Sequence, residues 1–276
     1  MYSAKILKDS LAASGARLTT MEITFPRIVL PELNTHRICS RNSASSRAIP
    51  SEKIIKRVMQ DPFLPVYWGK NKKGMSAESE LSISEQFEAN LIWIEARNNA
   101  VDSVRKLLKL GVHKQIANRL LEPFIWQTVI ISATSWDNFF NLRCHPDAQP
   151  EIRKIALMMR DLYYSCIPNS DLSKTFNWHL PLLDDEEFNE LIKIYSLDDI
   201  IKISVGRCAR VSYLTHDGIR DPQADIELTN RLLASGHMSP SEHIALGMSD
   251  MKVSGNFVGW QQFRKTLPNE NIFVSN

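Results

Sequence analysis

Apolar and polar positions repeat with different periods along the 276 residues, and the periods divide the chain into elements. From Leu91, apolar residues recur at Ile94, Val101, Val104 and Leu108, with Glu, Arg, Asn and Lys between them. Those three-, four- and seven-residue steps predict a long amphipathic helix, and Gly111 is placed to end it. A second stripe of Ile152, Ile155, Met159, Leu162 and Cys166 predicts a helix over about 150–166. Residues 51–60 read as helical, and 61–80, with Pro, Gly and Lys, as an excursion. The stretch 18–33, LTTMEITFPRIVLPEL, mixes β-branched residues with prolines. It reads as a strand followed by a short helix ending near Asn34.

Other stretches are read with less periodicity to go on. Residues 117–140 are apolar for most of their length and are taken as a buried helical block. Residues 167–200 read as a connector with a short acidic helix. IIKISVGRCARVSYL (200–214) is strand-like; a helix over 224–235 closed by Gly236, a loop, another strand and a last helix near 257–266 follow. Strands and helices do not alternate steadily. The pattern therefore predicts an α+β fold, a mixed or antiparallel sheet packed with long helices, and not a doubly wound sheet. No low-complexity tract and no tandem array is present.

Composition narrows the class. Hydrophobic residues make up 43% and charged residues 23%, which excludes a disordered chain. A net charge of only +2 disfavours coating a nucleic-acid polymer, but leaves small phosphorylated substrates open, since these need a few placed arginines. Cys39, Cys144, Cys166 and Cys208 are widely spaced with no C-x-x-C pair, which argues against a zinc ribbon or a disulfide framework and fits a reducing compartment. The opening MYSAKILKDS lacks a signal-peptide core, and the longest apolar run, Pro123–Trp136, is too short to span a bilayer. A soluble cytoplasmic protein is expected.

Four constellations could carry chemistry. His36-Arg37 is followed by Ser40, Arg41, Asn42, Ser43, Ser45 and Arg47, a set of guanidinium forks and hydroxyls suited to an oxyanion; a polar surface loop is the simpler alternative. NFFNLR (138–143) ends in Arg143, whose charge after an apolar segment must meet a carboxylate such as Glu151 or bind a ligand. Arg207, Arg210 and the Gly236–His243 turn could be a metal site or a nucleophile with its base. They match no zinc spacing, and loop-capping hydrogen bonds explain them more simply. GWQQFRK (259–265) reads as a helix carrying amide and cation groups. Dinucleotide, Walker, zinc-protease and nucleophile-elbow motifs are absent.

Together these stretches resemble the flavin-dependent thymidylate synthases, whose signature is R-H-R, seven residues, then S. Here it reads Thr35-His36-Arg37, seven residues, then Ser45-Ser46-Arg47, and NFFNLR with AQPEIR (148–153) resembles the family's downstream block. The order is unusual: the segment resembling the family's opening, from Arg210-Val-Ser to His243, lies at the C-terminal end. It leads to FVGWQQFRKTLPNE (257–270), which again resembles the family's Q-x-x-R-H-R helix. The strand-helix unit is thus read twice, at 20–37 and 243–265, as a circular permutation with an overlapping duplicate. Thr35 replaces the first signature arginine and Ser43 the usual Glu; Gln261 and Arg264 match what the N-terminal copy carries as Glu32 and Thr35. The expected organisation is an N-terminal part (1–166), a connector (167–199) and a C-terminal part (200–276) packed into the same domain.

The resemblance implies a flavin-dependent thymidylate synthase-like fold. It also implies methylation of dUMP to dTMP with FAD as hydride carrier, methylenetetrahydrofolate as carbon donor and NADPH as reductant. Ser45, Arg47, Arg119, Gln261 and Arg264 would bind the nucleotide. His36, Arg37, Ser43, Asn138 and Ser239 would contact the flavin. Arg143 would be catalytic, stabilising negative charge on the pyrimidine. Both Cys39 and Cys144 would be packing residues, and His145, His216 and His243 structural. The family is tetrameric with shared sites, so a homotetramer acting on a small nucleotide is expected, with no nucleic-acid polymer or membrane partner. Two alternatives stay open, hydroxymethylation of a pyrimidine nucleotide and a noncatalytic nucleotide-binding homologue.

Overall fold

The β-branched run near the N-terminus builds the sheet on which everything else is mounted. In the computed structural model, which describes residues 1–213, 220–268 and 270–271, β1 (Ser3–Leu11) and β2 (Arg17–Pro26) form an antiparallel pair. A 3-10 turn (Arg27–Val29) leads to α1 (Leu30–Asn34) and β3 (Ser40–Ser43). Next come α2 (Ser51–Gln60), α3 (Ile83–Lys109), α4 (Lys114–Ala117) and a 3-10 segment (Asn118–Phe124). Ser82 and Glu85 cap α3 reciprocally, the local reason the long helix starts where it does. Strand β4 (Trp126–Ala133) completes the sheet in the order β1-β2-β4-β3, and α5 (Asp137–Arg143) and α6 (Pro150–Ser165) follow it.

The C-terminal part wraps back onto that sheet. It comprises β5 (Trp178–His179), α7 (Asp185–Leu191), α8 (Leu197–Tyr213), α9 (Pro222–Ala234) and a 3-10 turn (Ser239–His243). Then β6 (Ala245–Gly247), the hairpin β7 (Val253–Ser254) and β8 (Phe257–Val258), and β9 (Trp260–Gln262) lead to a last 3-10 turn (Phe263–Thr266). Strands β5, β6 and β9 make a small second antiparallel sheet. The architecture is α+β, as the pattern predicts. Among the described residues no helix is long and apolar enough to cross a membrane.

Two cores meet at β4. Val129, Ile131 and Ala133 pack with Met21, Ile23 and Phe25 of β2 against Phe139, Phe140, Ile152, Ile155 and Met159 of α5 and α6. Ile130 belongs to the opposite core, with Ile200, Ile203, Cys208 and Val211 of α8. This is why the 117–140 expectation fails. A strand buried on both faces is a continuous apolar run without alternation, and it is easily taken for a buried helix.

Two further segments depart from expectation. The strand-like run 200–214 is helix α8 through Tyr213. Its β-branched residues form a helix because Ile200, Ile203, Cys208 and Val211 fall on one buried face, and burial outweighs the small propensity cost. The expected helix near 257–266 is two short strands and a single 3-10 turn, since Gly255 and Gly259 take positive φ of 63° and 73° and break the chain into turns. The 243–265 segment therefore does not repeat the long strand and helix of 20–37. His216 lies outside the described residues.

Helices α7, α8 and α9 are locked by a buried ion cluster. Arg207 pairs with Glu187 at 2.7 Å and Asp225 at 3.2 Å, and Arg210 reaches the other oxygen of Asp225 at 2.5 Å. Both arginines singled out from the sequence are thus occupied structurally. Beside them, Gly206 lets the helices touch: a Cβ there would sit 2.4 Å from the Asp225 carbonyl oxygen. Gly206→Ala should cost about 1–3 kcal/mol of stability, read as a lower denaturation midpoint, because backbone has to move apart. Unchanged stability would show that the helices do not cross this closely.

Candidate active site

The segment after α1 sets one wall of a cleft. Tight turns close from Arg37 N–H to the Thr35 carbonyl and from Cys39 N–H to the His36 carbonyl, and β3 then pairs with β4, Ser40 opposite Ser132 and Ser43 opposite Val129. Alternation on β3 buries Ser40 and Asn42. Asn42 donates to the Cys208 carbonyl of α8 at 2.7 Å, tying this wall to the C-terminal part. Arg41 folds back, its guanidinium donating to the His36 carbonyl at 2.5 Å.

The opposite wall comes from the C-terminal part. A cleft of about 380 Å³ is lined by Arg37, Cys39 and Arg41 on one side, and by Ser239, Glu242, Asn256, Gln262, Arg264 and Lys265 on the other. Gln262 is its floor: the side-chain amide donates to Ser40 Oγ at 3.1 Å, to Asn256 Oδ1 at 2.9 Å and to the Glu242 carbonyl at 3.1 Å. Gly255 makes room for it, since a Cβ there would lie 2.1 Å from Gln262 Oε1. Arg264 pairs with Glu242 and with Glu270, which also takes Lys265 at 2.8 Å. Four cations against two carboxylates leave the cleft positive, a field suited to an anion.

Behind this cleft, His36 is buried edge-on against Phe139, with ring centroids 4.9 Å apart. Arg143 donates to His36 Nε2 at 2.9 Å, to Thr35 Oγ1 at 2.9 Å and to the Glu32 carbonyl at 3.2 Å. The charge expected to need a carboxylate is thus held by neutral acceptors, and Glu151 bonds instead to Val66 N–H and Gln149. Burial, then the nearby Arg143 and Arg41 charges, holds the His36 imidazole below its ordinary value. Its Nε2 is a lone-pair acceptor, so the proton of the neutral ring sits on Nδ1. Burial pushes the Cys39 thiol up to about 12, Arg41 offsetting only part of the effect, so it is no nucleophile.

Ser239 and Glu242 sit on a 3-10 turn anchored from beneath. Ser10 Oγ contacts His179 Nδ1 at 2.9 Å, His179 Nε2 meets Thr20 Oγ1 at 2.8 Å, Thr20 meets Ser132 Oγ at 2.6 Å, and Ser132 meets His243 Nδ1 at 2.8 Å. All five residues are fully buried. Burial lowers His243 to about 3 and His179 well below its ordinary value, so both rings are neutral.

The other expected positions lie elsewhere. Ser43 is half-buried on β3, Ser45 half-buried and Arg47 exposed in the following loop, and Asn138 exposed on the first turn of α5. Gln261 is exposed while its neighbours Trp260 and Gln262 are buried, so the strand turns Gln262 and not Gln261 into the cleft. Arg119 lines a second cleft with Arg27, Glu122 and α1 residues Leu30, Pro31 and Asn34. Arg119 and Arg264 therefore line different clefts. Sequence reasoning missed Gln262, Asn256, Glu242 and Lys265 as cleft residues. The alternation of a short strand between two glycine turns would have picked out Gln262.

Parts of this chain are similar to known proteins. The sequence pattern of a family described as thymidylate synthase complementing protein matches residues 17–169. The flavin-dependent thymidylate synthase of Aquifex aeolicus (strain VF5) is 26% identical over 152 residues, 52% of this chain and 44% of that protein, so the match spans less than half of the relative. The crystal structure of the UMP/dUMP methylase PolB from Streptomyces cacaoi bound with 5-Br dUMP superposes with a TM-score of 0.50 at 14% identity. That likeness in fold covers 60% of this chain and 90% of the other.

The depressed His36 value carries a testable sign. The unfolded ring takes up a proton near 6.5 and the folded ring only below that. Stability is therefore full above about pH 6.5 and falls as pH drops toward the folded value. Replacing Arg143 with Met removes one flanking cation, so NMR titration of the His36 ring should show its pKa rise toward 6.5; no rise would separate the two side chains electrostatically.

Proposed function

The chain belongs to the thymidylate synthase complementing protein family, and from that premise we propose that it binds FAD and methylates deoxyuridylate on the pyrimidine ring, with methylenetetrahydrofolate as carbon donor and NADPH as reductant. The observation that carries the reading is the meeting of Arg37 and Arg41 with Ser239, Arg264 and Lys265, from opposite ends of the chain, on one positive cleft. The donor set fits a flavin: cations for its phosphates and electron-rich ring, with Ser239, Asn256 and Gln262 as hydrogen-bonding groups. Flavin, when bound, supplies the hydride that turns the transferred methylene into a methyl group.

The chain's own residues bind, orient and balance charge. Arg37 and Ser239 would hold the flavin, with His36 behind them; Ser43 and Asn138 lie outside this cleft. Arg264 holds the nucleotide anion, exchanging part of its pairing with Glu242 for the ligand. Arg143 is the catalytic residue. Its fork is oriented by Thr35, His36 and the Glu32 carbonyl, and its permanent charge stabilises the anion formed as the pyrimidine N–H ionises, which makes the ring carbon nucleophilic. Neutral His36 supports that role because only a neutral ring accepts from Arg143. Ser45, Arg47, Arg119 and Gln261 do not line this cleft. They reach a nucleotide bound there from another subunit, so the working unit is a homo-oligomer, a tetramer with shared sites.

Purified protein should be yellow, or gain thermal stability with FAD. Mass analysis of the product from deoxyuridylate, methylenetetrahydrofolate, FAD and NADPH should show an added methyl group; an added hydroxymethyl would change the reaction, and no flavin uptake would leave a nucleotide-binding protein. Arg264→Ala should weaken deoxyuridylate binding at least tenfold with the fold intact, by loss of a charge-assisted contact. Wild-type affinity in that variant would remove Arg264 from the site.

A further inference from the structure

One oxygen at the floor of the first cleft faces no donor. Gln262 is only 2% exposed, and its side-chain nitrogen meets Asn256 Oδ1 at 2.9 Å and the Glu242 carbonyl at 3.1 Å, two oxygens that can only accept. Asn256 is itself fixed, because its Nδ2 donates to the Ile38 carbonyl at 2.8 Å and leaves Oδ1 toward Gln262. The two ends of the Gln262 amide therefore cannot be exchanged. Ser40 Oγ gives its own proton to Asn256 Oδ1 at 3.1 Å, and so has none for Gln262. Gln262 Oε1 thus accepts from no group among the described residues.

The backbone holds that oxygen at the cleft wall. A Cβ on Gly255 would lie 2.1 Å from it, and Gly255, at a φ of 63°, lines the cleft beside Gln262. The Lys265 stem passes 3.5 Å from the same point, which brings a cationic side chain next to the oxygen. A buried acceptor without a partner is costly unless a ligand supplies the proton.

Charge narrows what that ligand group is. Arg37, Arg41, Arg264 and Lys265 repel a cationic donor, so the proton belongs to a neutral or anionic molecule. An imide edge, one N–H between two carbonyls, fits: the N–H meets Gln262 Oε1 and the carbonyls meet the cationic donors. Flavin and pyrimidine rings both carry such an edge. An acceptor at the imide holds its proton in place, which opposes the ionisation that Arg143 promotes on the pyrimidine. The flavin needs no such ionisation.

We propose that Gln262 Oε1 is the acceptor for the imide N–H of the flavin ring, with Gly255 as the residue that leaves room for it, so that Gln262 determines which ring the cleft accepts. The inference rests on reading the chain as a flavin enzyme, and it adds to that reading the group that selects the ring.

The test measures binding to full-length protein freed of flavin, by fluorescence titration with FAD and with FAD methylated at the imide nitrogen. Deoxyuridylate and its imide-methylated form are titrated in parallel by calorimetry. Wild type should bind FAD at least about tenfold more tightly than the methylated form, since methylation removes the proton that the buried oxygen needs. Gln262→Met keeps the side-chain length and removes the acceptor, so the ratio should fall below about threefold. The wild-type comparison stands without the variant, should Gln262→Met fail to fold. Equal binding of the two flavins by wild type, or a tenfold ratio that survives in folded Gln262→Met, would overturn the role of Gln262 while leaving flavin binding intact. Discrimination confined to the deoxyuridylate pair would overturn it as well, giving the oxygen to the pyrimidine. No flavin uptake by wild type would remove the flavin reading and this inference with it.

Discussion

Strand β4 runs through the middle of the molecule with both faces covered, and any polar group on it must find a partner inside the protein. Gln127 and Ser132 are such groups, and their partners organise the functional face. Gln127 donates to the Ala44 carbonyl and accepts from Arg27, so it holds the loop after β3 and one guanidinium of the second cleft. Ser132 leads through His243 to the turn that carries Ser239 and Glu242. Satisfying two buried polar side chains thereby positions residues that are far apart in the chain.

Charge is distributed on the same principle. Arginines gather where carboxylates are too few to neutralise them, at the cleft of Arg37, Arg41 and Arg264 and at that of Arg27 and Arg119. Helix α1 lines one cleft and the turn after it lines the other, with Arg143 bonded to both Glu32 and His36 in between. At α8, Arg207, Arg210 and Arg220 share Glu187 and Asp225, and that cluster fastens helices.

Legibility in the sequence followed burial. Helices α3 and α6 were readable because each has one wet face, which leaves a period, and the 18–33 strand and short helix through their β-branched residues and prolines. Strand β4 was not, because two dry faces erase alternation. Helix α8 was misread because its Ile and Val residues favour strands locally, and burial of Ile200, Ile203, Cys208 and Val211 in the core makes the helix. In the candidate site, Arg37, Ser239 and Arg264 were reachable through motifs, and they line one cleft. Gln262 was passed over for Gln261 because a helix was assumed where a two-residue period applies. The Arg27–Glu122 pair of the second cleft could not be found, since nothing local links ion partners so distant in sequence.

The buried chain from Ser10 to His243 has a direction. His243 Nε2 has no hydrogen-bond partner among the described residues. A bare lone pair there is tolerable, whereas an orphaned N–H is rare in folded proteins. That places the His243 proton on Nδ1, pointing at Ser132. Ser132 must then donate to Thr20, Thr20 to His179 Nε2, and His179 must donate from Nδ1 to Ser10. One missing contact at the end of the row thus decides the tautomer of an imidazole in a different sheet, and reversing the row would require a proton supplied to His243 Nε2 as well as the transfer of every proton along it toward Ser10.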